Sequence, residues 1–233
     1  MINVSVLGYG TVGSGVFDII RENNAMIAKR IGDEICTKYV LDLRDFPGDP
    51  VEEVLVHDFE VIKNDPEVHV VVETMGGLHP AYEFVKASLE AGKSVCTSNK
   101  ALVADFGPEL IQIAKDHNVS FLFEASVGGA IPIIVPLKHS LIANRIDSIM
   151  GIVNGTTNYM LTRMDEDGMS YEDALKEAQE RGFAEADPTA DVDGLDAAAK
   201  IAILASIAFN SRVTMNQVFT EGIRRISPVD LAM

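Results

Sequence analysis

The sequence predicts an α/β fold: a doubly wound parallel sheet followed by a smaller α+β unit. Three observations carry this expectation. Short apolar runs alternate with stretches of helical spacing across residues 2–123. The runs are apolar throughout rather than alternating, as strands covered on both faces are. The texture then changes at residues 124–136, EASVGGAIPIIVP, where Gly and Pro cluster. The boundary is placed near residue 130, giving domains over 1–130 and 131–233.

In chain order, residues 2–8 (INVSVLG) read as a buried strand that ends in glycine. Residues 12–31 carry Val12, Val16, Ile19, Ile20, Ile27 and Ile31 at helical spacing, one long helix. Residues 35–43 are a second strand, and Pro47, Gly48 and Pro50 then break the chain. Asp58 suits the cap of a short helix at 59–64. Residues 67–74, EVHVVVET, are the most β-like stretch. Pro80 opens a helix that runs to Ala91 and stops at Gly92. Residues 94–97 and 119–123 are strands. The helix between them, near 101–117, contains Pro108 and is expected in two pieces. Beyond the junction, 132–143 read as helix, 145–153 as strand, and 155–166, 170–181 and 194–209 as helices.

The formal charge of −16 repels phosphate backbones and anionic lipid, so neither nucleic acid nor a membrane surface is an expected partner. No apolar stretch approaches the roughly 20 residues of a membrane span, and the N-terminus lacks the basic and apolar regions of a secretory signal. Cys36 and Cys96 lie in apolar runs, where two buried thiols are expected rather than a disulfide. A soluble, cytoplasmic protein is expected.

Five motifs bear chemistry. The first is Gly8-Tyr9-Gly10-Thr11-Val12-Gly13, which follows a strand and opens a helix. Its glycines permit a tight turn and close approach of backbone to a pyrophosphate, which the helix N-terminus then faces: a Rossmann-type dinucleotide loop. At the end of the second strand, Asp42 would bond a ribose hydroxyl and favour NAD. Arg44 would receive the 2′-phosphate of NADP, which is the reading preferred, with dual use open. The second motif is Thr97-Ser98-Asn99-Lys100. Lys100 follows a strand at the sheet edge where ligands bind, although a solvated lysine opening a helix has the same pattern. The third, Glu124 to Pro132, is an irregular backbone whose carbonyls could line a site or simply form a hinge. The fourth, Asn154-Gly155-Thr156-Thr157-Asn158, fits a polar substrate site or a turn with a helix cap. The fifth, Glu185 to Lys200, places five carboxylates in twelve residues. An EF-hand is excluded there, because Thr189 and Lys200 stand where that loop needs ligand side chains. Asp196 and Lys200, four apart, share a helix face. They form either a surface ion pair or a sheltered pair able to exchange a proton with an alcohol.

Taken together, GYGTVG, MGGLHPA, TSNKALVA, FEASVGGAIPII, GIVNGTTNYMLTRM and FAEADPTADVDGLDAAAKIAIL resemble homoserine dehydrogenase over essentially the whole chain. The resemblance implies NAD(P)-dependent interconversion of L-homoserine and L-aspartate 4-semialdehyde, on the route to threonine, methionine and isoleucine. It implies Lys200 as the acid/base, Asp196 as its positioner and a substrate contact, and Glu185 as the ligand of the substrate ammonium group. Asp191 and Thr156 would also contact this amino-acid substrate. Lys100 would lie between cofactor and substrate, and Gly8 to Gly13 would hold the pyrophosphate. It further implies a monovalent cation such as Na⁺, held mainly by backbone carbonyls matching Glu124, Val127, Gly129 and Ile131. Ala130 departs from the family's third glycine, which matters if that residue needs positive φ. The family continues past the position of Met233, so the substrate and dimerisation domain is expected to be incomplete, and a homodimer is expected where the full C-terminal region is present. Two rivals are weighed. An aspartate-semialdehyde dehydrogenase needs an activated, exposed cysteine, which neither apolar run offers. A truncated, inactive nucleotide-binding module would bind NAD(P)H without turnover.

Overall fold

In the computed structural model, which describes residues 1–231, six strands form one parallel sheet in the order β3-β2-β1-β4-β5-β6. The strands are β1 (Ile2–Leu7), β2 (Ile35–Leu41), β3 (Leu55–Val56), β4 (Val68–Glu73), β5 (Ser94–Thr97) and β6 (Phe121–Leu122). β1 lies at the centre, its Leu7 level with Leu41 of β2 on one side and Glu73 of β4 on the other. The strand order reverses between β1 and β4, and the carboxyl ends of strands at such a reversal form a crevice. Val4, Val6, Leu7, Val40 and Val71 are buried, as the unbroken apolar runs require.

The chain divides into two compact units, Met1–Ile133 and Ile134–Met233. In the first unit the sheet is joined by α1 (Thr11–Glu22), α2 (Asn24–Ile31), α3 (Phe59–Asn64), α4 (Ala81–Glu90) and α5 (Lys100–Asp116). The expected helix over 12–31 is two helices meeting at Asn23, and Asn24 turns its side-chain amide to the Ile35 carbonyl at the start of β2. An asparagine that bonds backbone outside the helix competes with helix continuation. Conversely, α5 is one helix with Pro108 inside it. The residue before the proline is Gly107, which has no Cβ to clash with the pyrrolidine ring, and burial of Leu102, Val103, Leu110 and Ala114 holds the helix against the lost hydrogen bond. Cys36 and Cys96 are free and half-buried rather than fully buried, and burial pushes the Cys96 thiol up.

The second unit contains α6 (Gly155–Glu166), α7 (Tyr171–Glu180), α8 (Thr189–Val192), α9 (Leu195–Ala208) and α10 (Pro228–Leu231). Met160, Met164, Ala174, Ala178, Ala184 and Val192 form its core. Two expectations fail here. Residues 132–143 make only a π-helical turn at Pro136–Ser140. Residues 145–153 are not a strand. A strand needs a neighbour to take its N–H and C=O groups, and among the described residues none runs alongside. Met150 and Ile152 are accordingly 100% and 80% exposed, despite their apolar side chains.

The glycines of the first loop differ in what they permit. A Cβ on Gly13 would stand 1.9 Å from the Gly8 carbonyl oxygen, whereas one on Gly10, at φ −86°, would meet nothing within 4 Å. Gly13→Ala is therefore expected to lower stability by about 3 kcal/mol or abolish folding. Gly10→Ala, at the helix cap with open space around it, is expected to cost only about 0.5–1 kcal/mol. Thermal or urea unfolding of the two variants separates these outcomes.

Candidate functional site

The first unit carries a cavity of about 490 Å³ at the carboxyl ends of β1 and β2, with Gly8, Gly10, Arg44, Phe59, Met75 and Phe84 among its walls. Gly8 turns the chain out of β1 at φ +94°, and the Thr74 hydroxyl donates to the Leu7 and Gly8 carbonyls, each at 3.0 Å. Gly10 precedes α1, whose first turn contains no acidic residue, so the positive end of the helix dipole is left for an anion. Thr11 and Val12 are exposed on that turn, and Gly13 packs against the strand end. Tyr9 differs from the rest of the motif. Its ring is buried edge-on against Phe17 and Phe46, and its hydroxyl donates to Asp49 at 3.0 Å. Burial and that carboxylate push the phenol up to about 12.

Asp42 and Arg44 form one unit. The Asp42 carboxylate accepts the Tyr9 N–H at 2.8 Å, the Arg44 N–H at 3.0 Å and the Arg44 guanidinium at 3.0 Å. The Arg44 guanidinium also donates to the Tyr9 carbonyl at 3.1 Å. The guanidinium first, then the two backbone donors, hold the Asp42 carboxyl well below the usual range. Lys100 is the first residue of α5, whose cap is the Asn99 side chain, accepting the Leu102 N–H at 3.1 Å.

The segment proposed for a cation is a tight turn. Glu124 starts a 3-10 turn with its carboxylate on the Ile133 N–H, and the Val127 N–H donates to the Glu124 carbonyl at 3.5 Å. The Ile131 N–H donates to the Gly128 carbonyl at 3.3 Å, and both Gly129 and Ile131 are exposed. Ala130 has φ +60°, the conformation in which glycine is the easier residue. Among the described residues no group of three or more His, Cys, Asp or Glu side chains is placed to hold a metal ion.

The second unit builds its own cluster. Lys200 Nζ lies 2.8 Å from Asp196 Oδ2 and donates to the Val153 carbonyl at 2.8 Å. The Asn154 side-chain amide donates to Asp196 at 3.0 Å and to Asp191 at 2.7 Å. Asn154 Oδ1 accepts from the Thr157 N–H at 2.8 Å and the Thr157 hydroxyl at 2.9 Å, capping α6. Asp196 is only 4% exposed, and α9, which carries both Asp196 and Lys200, starts after Gly194 at φ +79°. This is the sheltered pair, not the surface ion pair. Two of the three Lys200 ammonium protons are used by Asp196 and Val153, leaving a third donor.

The structure thus brings Asp191, Asp196 and Lys200 together, and the residue that joins them is Asn154. Sequence reading placed it in a motif but did not select it; its signal was an asparagine two residues before a threonine pair at a helix start. The Thr156 hydroxyl donates to the Phe183 carbonyl at 2.7 Å, and Glu185 is exposed. No helix among the described residues is long and apolar enough to cross a membrane.

Two outcomes follow from this geometry. Asn154→Ala is expected to lower stability by about 2–3 kcal/mol in urea unfolding, since it removes a cap and takes one donor from each of two carboxylates. Asp42 has a depressed carboxyl in the folded state, so its stabilisation is full above about pH 4, the ordinary aspartate value, and is lost as pH falls below it. Urea midpoints measured from pH 7 to pH 3 should show a smaller acid decline in Asp42→Asn than in the unaltered chain.

Residues 8–124 match the NAD binding domain of homoserine dehydrogenase, and residues 132–233 match homoserine dehydrogenase. The homoserine dehydrogenase of a Synechocystis strain is 48% identical, over 99% of this chain and 54% of that protein. The crystal structure of a homoserine dehydrogenase from Thiobacillus denitrificans superposes with a TM-score of 0.91 at 42% identity, over 98% of this chain and 54% of that one. A hyperthermophilic archaeal homoserine dehydrogenase mutant in complex with NADPH superposes with a TM-score of 0.84 at 29% identity, over 97% of this chain and 75% of that one. The chain spans about half the length of the curated relatives it matches. With a dinucleotide-type glycine loop in one unit and a lysine paired to a buried carboxylate in the other, the chain belongs to the homoserine dehydrogenase family.

Proposed function

We propose that this chain carries the NAD(P)-dependent oxidoreductase chemistry of homoserine dehydrogenase, interconverting L-homoserine and L-aspartate 4-semialdehyde in the cytoplasm. The observation that carries the reading is the pairing of the partly buried Lys200 with the buried Asp196, with one ammonium proton left for a substrate oxygen. When bound, the nicotinamide supplies or receives the hydride. Lys200 donates a proton to the aldehyde oxygen during reduction, so that aldehyde, hydride and proton together make the alcohol, and takes it back during oxidation. Asp196 holds the ammonium in place, and Asn154 holds Asp196. Asp191, Thr156 and Glu185 are assigned to the substrate, Glu185 to its ammonium group. The division of labour falls near residue 130, with cofactor before it and substrate after it.

The cofactor favoured is NADP. Both Asp42 oxygens already accept protein donors, whereas the Arg44 guanidinium is well exposed at the cavity. Crystallisation of the archaeal relative with NADPH supports the same choice. Gly8, Gly10 and the α1 N-terminus would hold the pyrophosphate and Lys100 the nicotinamide end. Asp42 supports NAD as the second reading, since it ends β2 where a ribose-binding acid stands. A monovalent cation at the carbonyls of Glu124, Val127, Gly129 and Ile131 would order the junction, and a homodimer is assigned to the complete protein.

Absorbance at 340 nm with L-homoserine and NADP⁺ tests the reading. Lys200→Ala is expected to reduce kcat about 10²–10⁴-fold and leave the Kd for NADPH unchanged. Arg44→Ala is expected to lower the preference for NADPH over NADH by roughly tenfold or more, the loss of a charged hydrogen bond. Turnover that survives Lys200→Ala would contradict the assignment of the proton to that residue.

A further inference from the structure

Glu73, the last residue of β4, is fully buried, 0% exposed. Burying a carboxylate costs several kcal/mol unless donors surround it. The other buried positions of β4 are Val68 and Val71, so the sheet itself does not call for charge here. The donors come from the loops that follow. Glu73 Oε1 accepts the Met75 N–H at 2.9 Å and the Gly76 N–H at 3.4 Å, and Oε2 accepts the Thr97 hydroxyl. Thr97 Oγ1 accepts the Asn99 N–H at 2.9 Å, and the Asn99 amide donates to the Gly77 carbonyl. These bonds close a ring from the end of β4, through the end of β5 and the cap of α5, back to the loop after β4.

That loop has little stiffness of its own. Gly76 and Gly77 sit at φ +74° and +70°, where glycine is freest. Its shape matters because Met75 forms a wall of the cavity and abuts the glycine turn: a Cβ on Gly8 would stand 3.0 Å from the Met75 side chain. The other end of the ring sets the start of α5, where Lys100 stands.

We propose that Glu73 is a positioning residue, a buried acceptor that ties the Met75–Gly77 loop to the first turn of α5 and so shapes the nucleotide cavity and places Lys100. The proposal rests on reading the cavity as a dinucleotide site. Glu73→Gln keeps the size but leaves one acceptor oxygen in place of two, so the Thr97 hydroxyl loses its carboxylate acceptor. Thr97→Val removes the hydroxyl, and Thr97→Ser restores it.

The experiment measures NADPH binding to the unaltered chain and these three variants by cofactor fluorescence, with amide hydrogen exchange and thermal melting alongside. Glu73→Gln and Thr97→Val are each expected to raise the Kd for NADPH about tenfold, the loss of one hydrogen-bonded link, and Thr97→Ser is expected to restore it. Exchange should quicken at Met75 and Gly76 while the central strands stay protected and the melting midpoint moves by only a few degrees. An unchanged Kd in Glu73→Gln overturns the proposal. So does a weakened Kd accompanied by loss of protection across the whole sheet, which would make the group merely structural. Failure of the unaltered chain to bind NADPH would overturn the dinucleotide reading and this proposal with it.

Discussion

The Asp196 carboxylate is buried, and much of the second unit is arranged around its need for donors. An unpaired charge at 4% exposure would unfold a marginal domain. Lys200 meets it from one helical turn away, and Asn154 meets it from the start of α6. The same asparagine reaches Asp191 and caps α6, so one amide side chain joins the start of α6 to two neighbouring segments, 37 and 42 residues further along the chain.

The first unit solves a different problem, packing a helix start against the end of a strand. Gly13 lets α1 settle on the β1 turn, and Thr74 ties that turn to β4. Asp42 then reaches back from β2 to the Tyr9 N–H, so the loop is held from both flanking strands. The result leaves the first turn of α1 facing outward with no acidic side chain to compete for its dipole. The two units thus differ in kind: one presents a glycine turn before a helix start, the other a lysine–carboxylate pair.

Much of this was legible in the sequence because its signals are local. The glycine spacing, the apolar runs of β1, β2 and β4, and the four-residue step from Asp196 to Lys200 each depend on neighbours in the chain. What was not legible depends on partners far away. Asn154 became a hub only when α8 and α9 came to it, and Glu73 was hidden inside the most β-like run of the chain. The 145–153 segment has a strand's composition but no neighbour to pair with among the described residues. Pro108 was misjudged because the tolerance comes from Gly107 and a buried helix face, not from the proline. Tyr9 puts its ring in the core and also lines the cavity.

The account stands on hydride transfer by this chain to the aldehyde carbon. The direct measurement is mass spectrometry of the homoserine formed from L-aspartate 4-semialdehyde with NADPH carrying deuterium at the transferable C4 position. The account predicts one deuterium at the new alcohol carbon. Aldehyde returned unreduced, or homoserine formed without deuterium, would contradict it.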